Sequence, residues 1–283
     1  MHRRHFLTGL AAAALVGCSS SPTEAAPPPP FRPTRFSVEV RGSGPDVILI
    51  PGLTAGRGIW SRLVEAVPGY RYHLLQVSGF AGEPARGNAS GPVVGPLAEE
   101  IGRYIEAEGL RRPAVIGHSM GGTLAMMVAS KWPERVGRLM VVDIPPQPSG
   151  LLGSDAARMR GLADSLRDFA STPTGRQIFE SVIGGMSGEG TRPSDPDVVA
   201  RAMHELATLD LTADLPRITL PMTVVYASLD PRSNARQDAA YRAAFARARE
   251  PQLIRIDRSG HMIMLDQPAR FNETVRAFLT RRT

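Results

Sequence analysis

One cysteine, Cys18, stands in the 283 residues, so no disulfide can close within the chain and the fold must rest on its core. Lysine is as scarce: Lys131 is the only one, and the other basic residues are arginines scattered along the sequence. The formal charge of +6 is therefore not gathered into a basic stripe interleaved with aromatics, and nucleic acid is not expected as a partner. Six histidines show neither the i, i+4 pair of a zinc helix nor cysteine companions, so no structural or catalytic metal is indicated. Long hydrophobic runs are missing at the N-terminus, where the apolar stretch Phe6 to Gly17 is too short to span a bilayer as a permanent helix.

That stretch follows Arg3 and Arg4 and suits the apolar core of a signal peptide covering residues 1–17. Leu15-Val16-Gly17-Cys18 resembles the lipobox of bacterial lipoproteins, which implies cleavage before Cys18 and acylation of its thiol. The paired arginines ahead of Phe6-Leu7 resemble a twin-arginine signal, which implies export of a folded protein. Together these imply a membrane-anchored lipoprotein on the periplasmic or extracytoplasmic side. Residues 18–34, rich in serine and proline, read as a tether reaching up to ~50 Å in polyproline geometry.

A hydrophobic content of 42% is ample for a buried core beyond the tether. Short β-rich runs at 36–40, 46–50, 71–77, 113–117, 138–142, 222–227 and 253–256 alternate with helical patterns at 59–66, 97–108, 120–131, 236–247 and 268–280. This alternation predicts an α/β fold with a mostly parallel central sheet flanked by helices. The run Phe36-Ser37-Val38-Glu39-Val40 alternates and predicts an antiparallel edge strand, whereas continuous apolar runs predict strands buried on both faces. Between residues 148 and 215 the rhythm breaks into helical spacing, Met159, Leu162, Leu166 and Phe169, then Val198, Met203 and Leu206. A small helical cap is expected there, dividing the core into 35–147 and 216–283.

Gly117-His118-Ser119-Met120-Gly121-Gly122 lies between an apolar strand and an amphipathic helix, the context in which Gly-x-Ser-x-Gly makes a nucleophile elbow. The turn is tight enough to demand glycine at its flanks, and it leaves the serine hydroxyl exposed at a helix N-terminus. On this motif the chain resembles the α/β-hydrolase superfamily over about residues 35–283. The resemblance implies Ser119 as nucleophile, followed in chain order by an acid and a histidine. His261, in Ser259-Gly260-His261 after the last strand, fits the histidine, and Asp230, just past the penultimate strand, fits the acid. Asp143, at the end of the preceding strand, is the rival, because some members of the superfamily carry the acid there; Asp230 before Pro231 could also be only a helix cap. His118 is expected to be structural. The oxyanion donors implied are the backbone N–H groups of Met120 and Leu53, although Pro51-Gly52 stands where relatives often have His-Gly.

The expected activity is that of a serine hydrolase cleaving a small-molecule carboxylic ester through an acyl-enzyme, without a cofactor. Carbon–carbon bond hydrolase, peptidase and perhydrolase activities share the same triad and stay open, as does a non-catalytic ligand-binding lipoprotein of this fold. Nothing in the sequence assigns an oligomeric state.

Overall fold

The computed structural model describes residues 31–148 and 193–281. The expected signal and most of the tether, Cys18 included, lie outside the described residues, as do Met159, Leu162, Leu166 and Phe169 of the expected cap.

The apolar runs form β1 (Phe36–Arg41), β2 (Asp46–Ile50), β3 (Arg71–Val77), β4 (Ala114–His118), β5 (Arg138–Val142), β6 (Met222–Ser228) and β7 (Gln252–Asp257). They join in one seven-stranded sheet of order β1-β3-β2-β4-β5-β6-β7. Strand β1 runs antiparallel to β3 at one edge, as its alternating sequence implies, and the other pairings are parallel. The connecting helices are α1 (Ser61–Ala66), α2 (Val94–Ala107), α3 (Met120–Lys131), α4 (Pro196–Thr208), α5 (Asn234–Ala244), α6 (Ile263–Asp266) and α7 (Pro268–Thr280).

Both faces of the sheet are covered because successive residues of its central strands are apolar. Along β2, Val47 and Leu49 enter one core while Ile48 and Ile50 enter the other, and all four are fully buried. Leu63 of α1 and Phe271 and Val275 of α7 close the first core; Leu97 and Ile101 of α2, Leu124 of α3 and Val198 of α4 close the second. At roughly 1.5–3 kcal/mol for each fully buried aliphatic or aromatic side chain, these layers supply what a chain with one cysteine cannot take from cross-links.

Packing starts upstream of Arg35, where the core was expected to begin. Phe31 lies partly buried against it, and the buried Glu100 of α2 accepts hydrogen bonds from Thr34 N at 3.0 Å, Thr34 Oγ1 at 2.9 Å and Arg35 N at 2.7 Å. Helix α4, at the far end of the expected cap, is tied to the same core. Asp195 caps it by accepting from Asp197 N at 3.0 Å and Val198 N at 3.1 Å, with Pro196 at the first helical position. Its buried face is Val198, Val199 and Ala202. Glu205 reaches back to the start of α2 and accepts from Val93 N at 2.7 Å and Val94 N at 2.9 Å. Just before α4, the buried Ser194 Oγ accepts from Ala81 N at 3.0 Å and donates to Thr54 O at 3.4 Å, joining the loops that follow β3 and β2. The loop after β2 is thereby held beside the elbow.

Candidate active site

Strand β4 runs into Ser119, and α3 begins at the next residue. Ser119 has φ 52° and ψ −123°, a backbone conformation that non-glycine residues rarely adopt. The surroundings force it. Ser119 N donates to Val142 O of β5 at 2.9 Å, and Ser119 O accepts from Gly122 N at 2.7 Å and Thr123 N at 3.1 Å, which starts the helix within one residue of the strand. A Cβ on Gly117 would stand 2.0 Å from Gly121 O, and one on Gly121 would stand 2.3 Å from Ile50 O. The two motif glycines are therefore required by backbone approach, and α3 lies against the sheet closely enough to hold the serine at its carboxyl edge.

His261 sits on the loop between β7 and α6. Gly260 N donates to Asp266 Oδ2 at 2.8 Å and Ser259 N to Ser228 O at 3.3 Å, so the loop is fixed to α6 and to the end of β6. Its Nδ1 lies 2.7 Å from Asp143 Oδ2, with the imidazole half-exposed and the carboxylate largely buried. Asp143 follows β5 directly and has φ 55°, a left-handed conformation that aspartate tolerates better than most residues. Its N–H continues the sheet by donating to Val225 O at 2.8 Å, while its Oδ1 accepts from Ala227 N at 2.9 Å and from the Tyr241 hydroxyl at 3.3 Å. The carboxylate is thus held on one oxygen and presents the other to His261. This arrangement fixes the imidazole with Nδ1–H toward the carboxylate and leaves Nε2 free of it.

Asp230, the acid expected from the sequence, is placed elsewhere. Its Oδ1 accepts from Arg232 N at 3.0 Å and its carboxylate pairs with the exposed Arg232 guanidinium at 3.3 Å, so that it caps the 3-10 turn Pro231–Ser233. The helix-cap reading of Asp230 describes its surroundings, and Asp143 is the residue brought to His261. The physical reason is how each carboxylate is held rather than strand order, since β6, which precedes Asp230, is the strand next to β7 and the His261 loop. Both aspartates follow neighbouring strands, but Asp143 takes a left-handed backbone with Oδ1 held by Ala227 N and Tyr241, which leaves Oδ2 for His261, whereas Asp230 precedes Pro231 and its carboxylate is spent on capping the turn.

His118 packs under the histidine loop. Its Nε2 lies 2.9 Å from the carbonyl oxygen of His261 and so acts as donor, and the two rings are 4.6 Å apart. Burial, reinforced by the neighbouring His261, lowers its pKa to about 4, which keeps it neutral at ordinary pH. This is the structural role expected of it, with the addition that it carries the backbone of His261. The loop 51–54 abuts Ser119: a Cβ on Gly52 would lie 2.9 Å from His118 Nδ1 and 3.1 Å from Ser119 Cβ. Leu53 follows on this loop, partly buried, and Met120 N–H opens α3 where no intrahelical acceptor is in reach. Both donors expected from the sequence therefore stand on the two segments that flank the serine.

The sequence reading passed over Tyr241, the buried side chain of α5, whose other residues are alanine or polar. A lone aromatic on such a helix was the available signal. A cavity of about 700 Å³ opens at the other end of the strands, lined by Arg138, Leu220, Met222 and Phe278, and belongs to the amino ends of β5 and β6 rather than to the serine. Among the described residues no group of three or more His, Cys, Asp or Glu is placed to hold a metal ion, and no helix is long and apolar enough to cross a membrane.

Residues 47–274 match a family model described as the alpha/beta hydrolase family. The chain is 26% identical over 210 residues to a pimeloyl-[acyl-carrier protein] methyl ester esterase of Aliivibrio salmonicida, covering 68% of this chain and 77% of that protein. It is 26% identical over 262 residues to the protein of the same name from Aeromonas salmonicida, covering 86% and 98%. Among solved structures it is similar in fold to an esterase from Exiguobacterium antarcticum, with a TM-score of 0.65 and 20% identity over 87% of this chain and 96% of the other.

Proposed function

The chain belongs to the alpha/beta hydrolase family, and we propose that it is a serine esterase in which Ser119, His261 and Asp143 form an acyl-transfer triad. That it is a hydrolase enzyme of esterase-like kind follows from its family and relatives. The observation that carries the finer reading is the 2.7 Å pairing of His261 with a largely buried carboxylate, with the ring of His261 4.6 Å from that of His118, the residue before a serine held at φ 52° on the elbow. Ser119 Oγ attacks the ester carbonyl carbon while His261 Nε2 takes its proton. The oxyanion is held by the N–H groups of Met120 and Leu53, and the partial positive charge at the start of α3 favours it further. Collapse expels the alcohol, which takes the proton from His261. Water then repeats the sequence on the acyl-enzyme.

Exposed apolar side chains near the histidine loop support an uncharged acyl group as the substrate part. Leu229 and Leu265 are two of the three large apolar side chains exposed among the described residues, the first directly after β6 and the second in α6, the helix that follows His261. The methyl ester esterases among the relatives support the same bond type. The test is labelling by a fluorophosphonate together with turnover of p-nitrophenyl esters of increasing chain length. Stoichiometric labelling at Ser119 and ester turnover are expected; an unlabelled protein with no turnover would return the chain to the class of ligand-binding proteins that keep the fold.

The N-terminal residues support a second proposal, that the enzyme is exported and anchored by a lipid on Cys18. In a bacterial host fed labelled fatty acid, Cys18→Ser is expected to lose the label and appear in the soluble fraction with its ester turnover intact. Retention of the variant on membranes would remove Cys18 as the anchor.

A further inference from the structure

The carboxylate of Asp143 has more donors than the triad uses. Besides His261, its Oδ1 accepts from Ala227 N at 2.9 Å and lies 3.3 Å from the hydroxyl of Tyr241. Tyr241 is 2% exposed and comes from α5, an element that carries no other part of the site. Its ring is stacked on Tyr226 at 4.2 Å with 14° between planes, and on Phe245 at 6.4 Å with 7° between planes. The stack leaves the phenol little freedom. Burial, and then the charge of Asp143, push its ionisation far above the usual tyrosine range, so that it stays a donor wherever the enzyme works.

We propose that Tyr241 is a positioning residue of the active site, acting through Asp143; the proposal rests on the reading of Asp143 as the orienting acid. A carboxylate is free to rotate about its last torsion, and two donors on one oxygen fix its plane so that the second oxygen stays aimed at His261 Nδ1. The phenol also draws negative charge from a carboxylate whose other partners are the Ala227 N–H and His261. Without it the carboxylate is harder to keep ionised and holds a proton on the imidazole more strongly. Both effects move the loss of activity on acidification to higher pH. The titratable groups around the pair are His261 and, beyond it, His118 on the loop side, Tyr226 from β6, Asp238 and Arg242 from α5 and Arg255 from β7. Asp238 is occupied by Arg255 and by the Tyr226 hydroxyl, at 2.8 Å from the latter, so neither reaches Asp143.

Tyr226 supplies the control, since it shares the stack but directs its hydroxyl to Asp238. In Tyr241→Phe the ring and its stacking remain, and kcat for a p-nitrophenyl ester is expected to fall about tenfold, the scale of one hydrogen bond to a charged group. KM should be unchanged, and the acidic limb of the pH profile of kcat/KM should move to higher pH. Added to Asp143→Asn, the same substitution should cost little more, because the two groups act as one unit. Tyr226→Phe should leave turnover and the acidic limb where they are. A Tyr241→Phe enzyme with the wild-type acidic limb and turnover overturns the proposal, and so does an equal change in Tyr226→Phe, which would assign the effect to the stack. If the wild-type protein neither reacts with a fluorophosphonate nor turns over esters, the esterase reading itself fails and takes this one with it.

Discussion

Replacing Ser119 by alanine is expected to lower kcat on an ester by roughly 10⁶-fold, and replacing His261 by alanine to do the same, while the double variant loses little beyond either single one. The expectation follows from the division of labour at the elbow. The serine hydroxyl is a poor nucleophile until the imidazole removes its proton, so each residue is useless for this step without the other. What survives in all three variants under the proposed mechanism is the stabilisation assigned to the Met120 and Leu53 N–H groups, which the substitutions leave in place. Alanine keeps the Cβ of Ser119, and the hydrogen bonds that impose φ 52° are made by backbone atoms, so thermal unfolding should change little. Losses that multiply in the double variant would mean that serine and histidine serve separate reactions, and the acyl-enzyme mechanism would have to be abandoned.

The second large effect separates two aspartates. Asp143→Asn is expected to reduce kcat by about 10⁴-fold, as when the acid of a serine protease triad is turned into an amide and the imidazole takes the wrong tautomer. Asparagine tolerates the left-handed backbone at φ 55° and can still accept from Ala227 N through its carbonyl, so the fold should persist while the bond to His261 Nδ1 is lost or reversed. Asp230→Asn replaces one good N-cap by another and should leave both kcat and stability close to wild type. Steady-state kinetics on the two variants, with unfolding curves alongside, decides between them. If Asp230→Asn is crippled and Asp143→Asn is active, the 2.7 Å pairing of Asp143 with His261 is not the catalytic one.

The strands, the antiparallel edge and the elbow could be read from residue order because each rests on local physics. Continuous apolar runs such as residues 47–50 dictate burial on both faces, alternation in Phe36–Arg41 dictates an edge, and the glycines at 117 and 121 dictate a turn in which a Cβ would collide with backbone. His261 was legible for a similar reason, being the histidine on the loop after the last strand. Its partner was not. Asp143 and Asp230 have the same local signature, an aspartate closing an apolar strand, and differ in which neighbour the folded chain brings within 2.7 Å of an imidazole 118 residues away from Asp143. The sequence by itself determined the α/β layers and the tight turn that holds Ser119, since helix and strand periods and tight turns are properties of contiguous residues. Tertiary structure alone decided which aspartate faces His261, the carriage of His261 by His118 and the contact of Tyr241 with Asp143, because hydrogen bonds between side chains far apart in sequence depend on which strands neighbour one another and on backbone direction, which no local pattern encodes.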